Sequence, residues 1–119
     1  MNLNISDREI FIPTTNGNDK ADKPITFHLR FLTSEEQVEM EYMEFSQVGR
    51  KDSNRFRVKV DNKYIFARGV ESIDNLSVGD KPITTAEQFL AIRGPKWLAE
   101  MIAEVGIHLK NAMEIDEKN

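Results

Sequence analysis

The stretch PKWLAEMIAEVGIHLKNAM, residues 95–113, decides how the rest of the chain is read. Gly94 ends what precedes it, and Pro95 stands where proline suits a helix, in the first turn, with φ preset and no ladder donor lost. At 100° per residue Leu98, Met101, Ile102, Val105, Leu109 and Ala112 fall on one broad face, with Trp97, His108 and Met113 at its margins. Glu100, Glu104, Lys110 and Asn111 fall elsewhere. Such a face has to be covered, so the earlier segments are read as its cover. Gly106 inside this helix costs roughly 1 kcal/mol relative to alanine and permits close approach by another helix.

Immediately before it, Gly79-Asp80-Lys81-Pro82 is turn chemistry. Thr84 and Thr85, followed by Glu87 and Gln88, offer capping boxes for a short helix from about Ala86 to Ile92, with Phe89 and Leu90 inward. Gly69 to Asp80 reads as a connection that docks Ile73 and Leu76 on the core.

Farther upstream, Ile25, Phe27, Leu29 and Phe31 alternate with Thr26, His28 and Arg30, the period of a half-buried strand over Pro24 to Leu32. Thr33 and Ser34 then offer N-cap hydroxyls with Glu36 and Gln37 three residues on, which predicts a helix from about Glu35 to Phe45. Its inward face is read as Val38, Tyr42 and Phe45, which leaves Met40 and Met43 nearly opposite, among glutamates. Phe56, Val58 and Val60 alternate with Arg55, Arg57 and Lys59, and Asp61-Asn62-Lys63 interrupts the run, so a hairpin pairing Val60 with Tyr64 and Val58 with Phe66 is expected over Arg55 to Ala67. Residues 1–23 are polar and read as a flexible N-terminal segment, in which the short Ile10-Phe11-Ile12 run offers an added strand. Residues 24–113 form the expected single domain and 114–119 a polar tail.

The expected fold class is α+β: a small antiparallel sheet packed against two or three helices, the longest at the C-terminal end. A length of 119 residues suits one domain with its own core. The absence of cysteine removes disulfides and thiol chemistry, and no apolar run approaches the roughly 18 residues of a membrane span. With 20 acidic and 16 basic residues the net charge is −4, which argues against nucleic acid as the principal partner.

An enzyme is not expected. His28 and His108 have no catalytic or metal-binding motif around them, and no glycine-rich phosphate loop or nucleophile elbow is present, so no catalytic, cofactor or metal residues are assigned. Arg55, Arg57 and Lys59 make one strand face basic, but Phe56, Tyr64 and Phe66 are in phase with the core, which leaves that face without aromatic side chains for bases to stack on. The basic strand instead complements the acidic helix, within one molecule or between subunits, so a homo-oligomer stands among the expected assemblies. Apolar surplus at Met40, Met43, Trp97 and Ile107 marks these four as candidate partner contacts.

The succession Val70-Glu71-Ser72-Ile73-Asp74-Asn75-Leu76, Gly79-Asp80-Lys81-Pro82-Ile83-Thr84-Thr85, Phe89-Leu90, Pro95 and Leu98, followed by the long helix, resembles the tail assembly chaperones of long-tailed bacteriophages. The strand and acidic helix from Phe27 to Phe45 look similar to that family's first half. The resemblance implies a small protein of the infected host's cytoplasm, absent from the mature virion and without a cofactor. Its implied partners are the tape measure protein, which it keeps soluble, and the tail tube protein that assembles around it. The alternatives carried alongside are a head-to-tail joining or tail structural protein, and a small nucleic-acid-binding regulator using Arg55, Arg57 and Lys59.

Overall fold

The alternating run after Pro24 becomes the middle strand of a three-stranded antiparallel sheet, because it has an apolar side to bury and backbone edges to pair on both flanks. The computed structural model describes residues 8–45 and 62–118. In chain order these form β1 (Arg8–Phe11), a 3-10 segment (Thr15–Lys20), β2 (Thr26–Arg30), α1 (Ser34–Phe45), α2 (62–69), β3 (Val70–Asp74), β4 (Ser77–Val78), β5 (Lys81–Pro82), α3 (Ala86–Leu90) and α4 (Trp97–Lys118). The sheet order is β1-β2-β3, and β4-β5 is a separate hairpin. This is the α+β architecture expected, with its small antiparallel sheet and long C-terminal helix.

Register sorts the side chains. Phe11 opposes Phe27, and Ile73 opposes Phe27 from the other side, all on the face turned to the helices. Ile10 and Ser72 oppose His28 on the opposite face. A bulge at Glu71 lets Val70, rather than Glu71, oppose Leu29, so Val70 joins Ile73 in the core while Glu71 stays outside. The β4-β5 connection is the two residues Gly79-Asp80, and Gly79 has φ +61°, the left-handed geometry that glycine adopts without a Cβ penalty.

The core gathers on α4. Met101, Val105 and Leu109 are completely buried, as the helical spacing predicts, and Leu98 nearly so. Against them lie Phe27, Ile65, Phe66 and Phe89. Gly106 is buried where α2 crosses: a Cβ built there would stand 2.8 Å from the Asn62 Cα and 2.9 Å from its carbonyl oxygen. The close approach that the glycine suggested is therefore made, and α2 is the helix that makes it.

Four expectations are corrected. The stretch Gly69 to Asp80, read as a connection, supplies the edge strand β3 and the first strand of the β4-β5 hairpin. Residues 62–69 are helical, so Tyr64 to Ala67 is not the return arm of a hairpin; Ile65 and Phe66 are both fully buried, which adjacent positions of a one-sided strand do not allow. The first arm, Arg55 to Val60, lies outside the described residues. The N-terminal segment supplies β1, which pairs with β2 where a hairpin arm was expected. Finally, α1 turns its other side to the core: Met40 is buried and Val38 is 63% exposed.

Charged contacts set that rotation. The Arg30 guanidinium grips Glu36 with two bonds of 2.9 Å, and Thr33 and Glu36 close a capping box through bonds of 2.8 and 3.1 Å. The Tyr64 hydroxyl donates to Glu39 at 2.8 Å. With Glu36 and Glu39 tied on one side, Met40 beside them faces in. The hydrogen bond from Arg30, opposed by burial and assisted by the Thr33 amide, holds the Glu36 carboxyl at about 2.

Two stability predictions follow from this packing. Gly106→Ala gains helix propensity but drives a methyl into the α2 backbone, so a net loss of roughly 1–3 kcal/mol is expected in urea unfolding; equal or greater stability would mean that the two helices do not meet at this distance. The Glu36 contribution is fully present above the unfolded value of 4.5 and is lost as pH falls toward 2, because its folded pKa is depressed. Glu36→Gln is therefore expected to be less stable at neutral pH and to show a flatter stability profile across that acid window.

Candidate functional site

Three places on the surface combine shape with chemistry. The first is the clasp between α4 and the N-terminal segment. Glu104 points from α4 toward Thr14 and Thr15, whose backbone amides donate to its carboxylate at 2.8–3.0 Å and whose hydroxyls donate at 3.0 and 2.6 Å. One turn further, His108 stacks on Phe11, ring centroids 4.0 Å apart, and bonds Glu9 at 3.1 Å. Burial works to raise the Glu104 carboxyl, and the hydrogen bonds from Thr14 and Thr15 outweigh it, leaving its pKa below the ordinary value. The following turn is closed from inside by Asn18, whose side-chain amide donates to the carbonyls of Pro13 and Ile25 while its oxygen accepts from the Ile25 amide. A segment that reads as polar and loose is thus held by satisfied polar contacts; the sequence signal was Glu104, an acidic residue off the apolar face of α4.

The second place is the open face of the sheet. A recess of about 550 Å³ runs over Arg8, Ile10, His28, Glu71 and Ser72. The His28 Nε2 lies 2.6 Å from Asp74, and Arg8 lies 3.5 Å from Glu71, so the charged groups of this face meet across strands. Ser72 opposes His28 in register, but among the described residues no side-chain hydrogen bond joins them, and the His28 and Asp74 side chains are 38% and 55% exposed. A shared proton relay to a nucleophile is not assembled there. Among the described residues no group of three or more His, Asp or Glu side chains is placed to hold a metal ion. Beside these charged pairs the face presents an apolar group: Ile10 is 69% exposed, and Ile12, just past the strand, is also exposed.

The third place is a recess of about 470 Å³ between the β4-β5 hairpin and α3, floored by Val78, Ile83 and Ile92 and edged by Lys81, Arg93 and Glu87. The Thr85 capping box expected for α3 is formed with Gln88, which fixes this edge of the recess.

The candidate contacts read from sequence divide. Ile107 is exposed on α4. Trp97 is half-buried and packs on the core at the start of that helix. Met40 is buried, so its place as an open contact is corrected for the same reason that Val38 is exposed. The Met43 side chain lies outside the described residues, as do Arg55, Arg57 and Lys59. The short Ile10-Phe11-Ile12 run, which the sequence offers as an added strand or a clip onto a neighbour, supplies the end of β1 and leaves Ile10 and Ile12 exposed, although neither is among the four candidate contacts.

The class defined by this fold and these surfaces is an α+β protein with apolar side chains presented on an edge strand and a helix. Comparison of the chain with protein-family models, with curated proteins and with solved structures found no match. Among the described residues no helix is long and apolar enough to cross a membrane.

Glu104→Ala is expected to free the clasp. Hydrogen exchange at Thr14 and Thr15 should accelerate sharply and global stability should fall by about 1–3 kcal/mol, the cost of leaving several donors without their charged acceptor. Unchanged protection at those two amides would show that the carboxylate does not hold the segment.

Proposed function

We propose that the protein is a non-enzymatic tail assembly chaperone of a long-tailed bacteriophage, acting in the host cytoplasm and absent from the mature virion. It binds the tape measure protein, keeps it soluble and assists assembly of the tail tube around it. The observation that carries the reading is the exposure of Ile10, Ile12 and Ile107, large apolar groups left open on a small acidic protein. A helical, apolar client needs such surface, and it needs no cofactor to be held. The resemblance supports the same reading: the residues that carry it, Val70 to Leu98, run from β3 through the β4-β5 hairpin and α3 to the start of α4. Met40 leaves the proposed contact set because it is buried; Ile107 remains, and Ile10 and Ile12 join it.

The test is co-expression with the large helical protein encoded just downstream, followed by a solubility assay and pull-down. A soluble complex is expected from the native chain. Ile10→Asp with Ile12→Asp, or Ile107→Asp, should reduce recovery of the client severalfold while the chaperone stays folded, since each side chain is exposed. A client that remains insoluble and unbound with the native chain overturns the proposal.

A further inference from the structure

We propose that copies of this chain associate head to tail, with the outer face of α1 of one copy seated in the recess between the β4-β5 hairpin and α3 of the next. The outer face of α1 is an apolar knob between carboxylates: Val38 is 63% exposed, and Glu35 and Glu41, three residues to either side of it, are exposed on neighbouring turns. The helix contains five glutamates and no basic residue. The recess is its chemical counterpart, an apolar floor of Val78, Ile83 and Ile92 edged by two cations, Lys81 and Arg93, against one carboxylate, Glu87. Knob meets floor, and each end of the acidic stripe meets a cation.

The two surfaces do not meet within one copy: Val38 is exposed, and no residue of α1 lines the recess. The chain enters α1 from the Arg30 end of β2, whereas the hairpin and α3 follow Asp74, which pairs with Thr26 at the opposite end of that strand. The partner is a second copy in preference to another acidic helix because both halves are present on this one molecule. A head-to-tail contact leaves one of each surface open, so the assembly grows into a ring or an open row, whereas two copies exchanging α1 about a two-fold axis would stop at a dimer, which the sedimentation below tells apart. This contact is independent of the client reading, which rests on Ile10, Ile12 and Ile107.

Sedimentation of the full chain at concentrations up to about 1 mM tests it. The weight-average mass should rise with concentration, pass that of a dimer, and fall when salt is added. Glu35→Lys with Glu41→Lys, or Lys81→Glu with Arg93→Glu, should each weaken association roughly tenfold or more by setting like charges together. Combining all four should restore it, which separates charge pairing from misfolding. A native chain that stays monomeric throughout overturns the proposal, as does association that neither pair weakens or that the fourfold variant fails to restore. Loss of client pull-down in Lys81→Glu with Arg93→Glu, without self-association of the native chain, assigns the recess to the client and equally overturns it.

Discussion

Three phenylalanine rings from three different elements meet at the centre of this protein, and the rest of the structure depends on their contact. Phe27 of β2, Phe66 of α2 and Phe89 of α3 lie with centroids 5.2–5.7 Å apart at interplanar angles of 50–68°, the tilted and edge-to-face arrangements that the ring quadrupoles favour. The three elements are separate in sequence and are joined in one core. Met101, Val105 and Leu109 of α4 belong to the same fully buried core, so the long helix and the ring cluster shut water out together. Removing any one ring would leave a void bordered by several elements at once, because no single neighbour could collapse into it.

Around this centre the chain uses charge to fix orientation more than to add stability. Arg30 and Glu36 join the end of β2 to the first turn of α1, and Tyr64 and Glu39 join α1 to α2. Glu104 fastens the N-terminal segment to α4, with the stacked pair of Phe11 and His108 one turn along. Each of these contacts crosses between elements whose apolar patterns alone leave a choice of rotation or register. Partly shielded, bidentate pairs suit that role because they are satisfied in only one geometry. The outer sheet face, by contrast, pairs its charges across strands in the open, where such pairs contribute little.

The contacts proposed for this scaffold lie in what the core leaves over. Ile10, Ile12, Val38, Val78 and Ile107 are the large apolar residues exposed among those described, and they sit on a strand, a loop, two helices and a hairpin. They are dispersed over the surface, which suits contacts with other chains at several points better than one deep ligand cavity. The two recesses are shallow and edged by charge, again the form of surfaces that receive a protein segment.

How much of this was legible follows from the strength of each local pattern. Six apolar positions at helical spacing behind Gly94-Pro95 determined α4 and its buried face; the alternation of Phe27 and Leu29 determined β2; the threonines with Glu36 and Gln88 determined the starts of α1 and α3. In each case one periodicity or one reciprocal hydrogen-bond pair has a single solution. Residues 62–69 did not, since Tyr64, Ile65 and Phe66 suit a strand by propensity, and only the chance to bury both Ile65 and Phe66 against α4 and the sheet makes them helical. The rotation of α1 was equally open, because Val38 and Met40 are comparable in apolar character and the long-range ties of Glu36 and Glu39 select between them. The N-terminal segment reads as loose because its partners, Glu104 and His108, lie about ninety residues away. Sequence by itself determined which elements have an apolar face to bury; tertiary structure alone decided which way ambiguous faces turn, since that choice is made by contacts between residues distant in the chain.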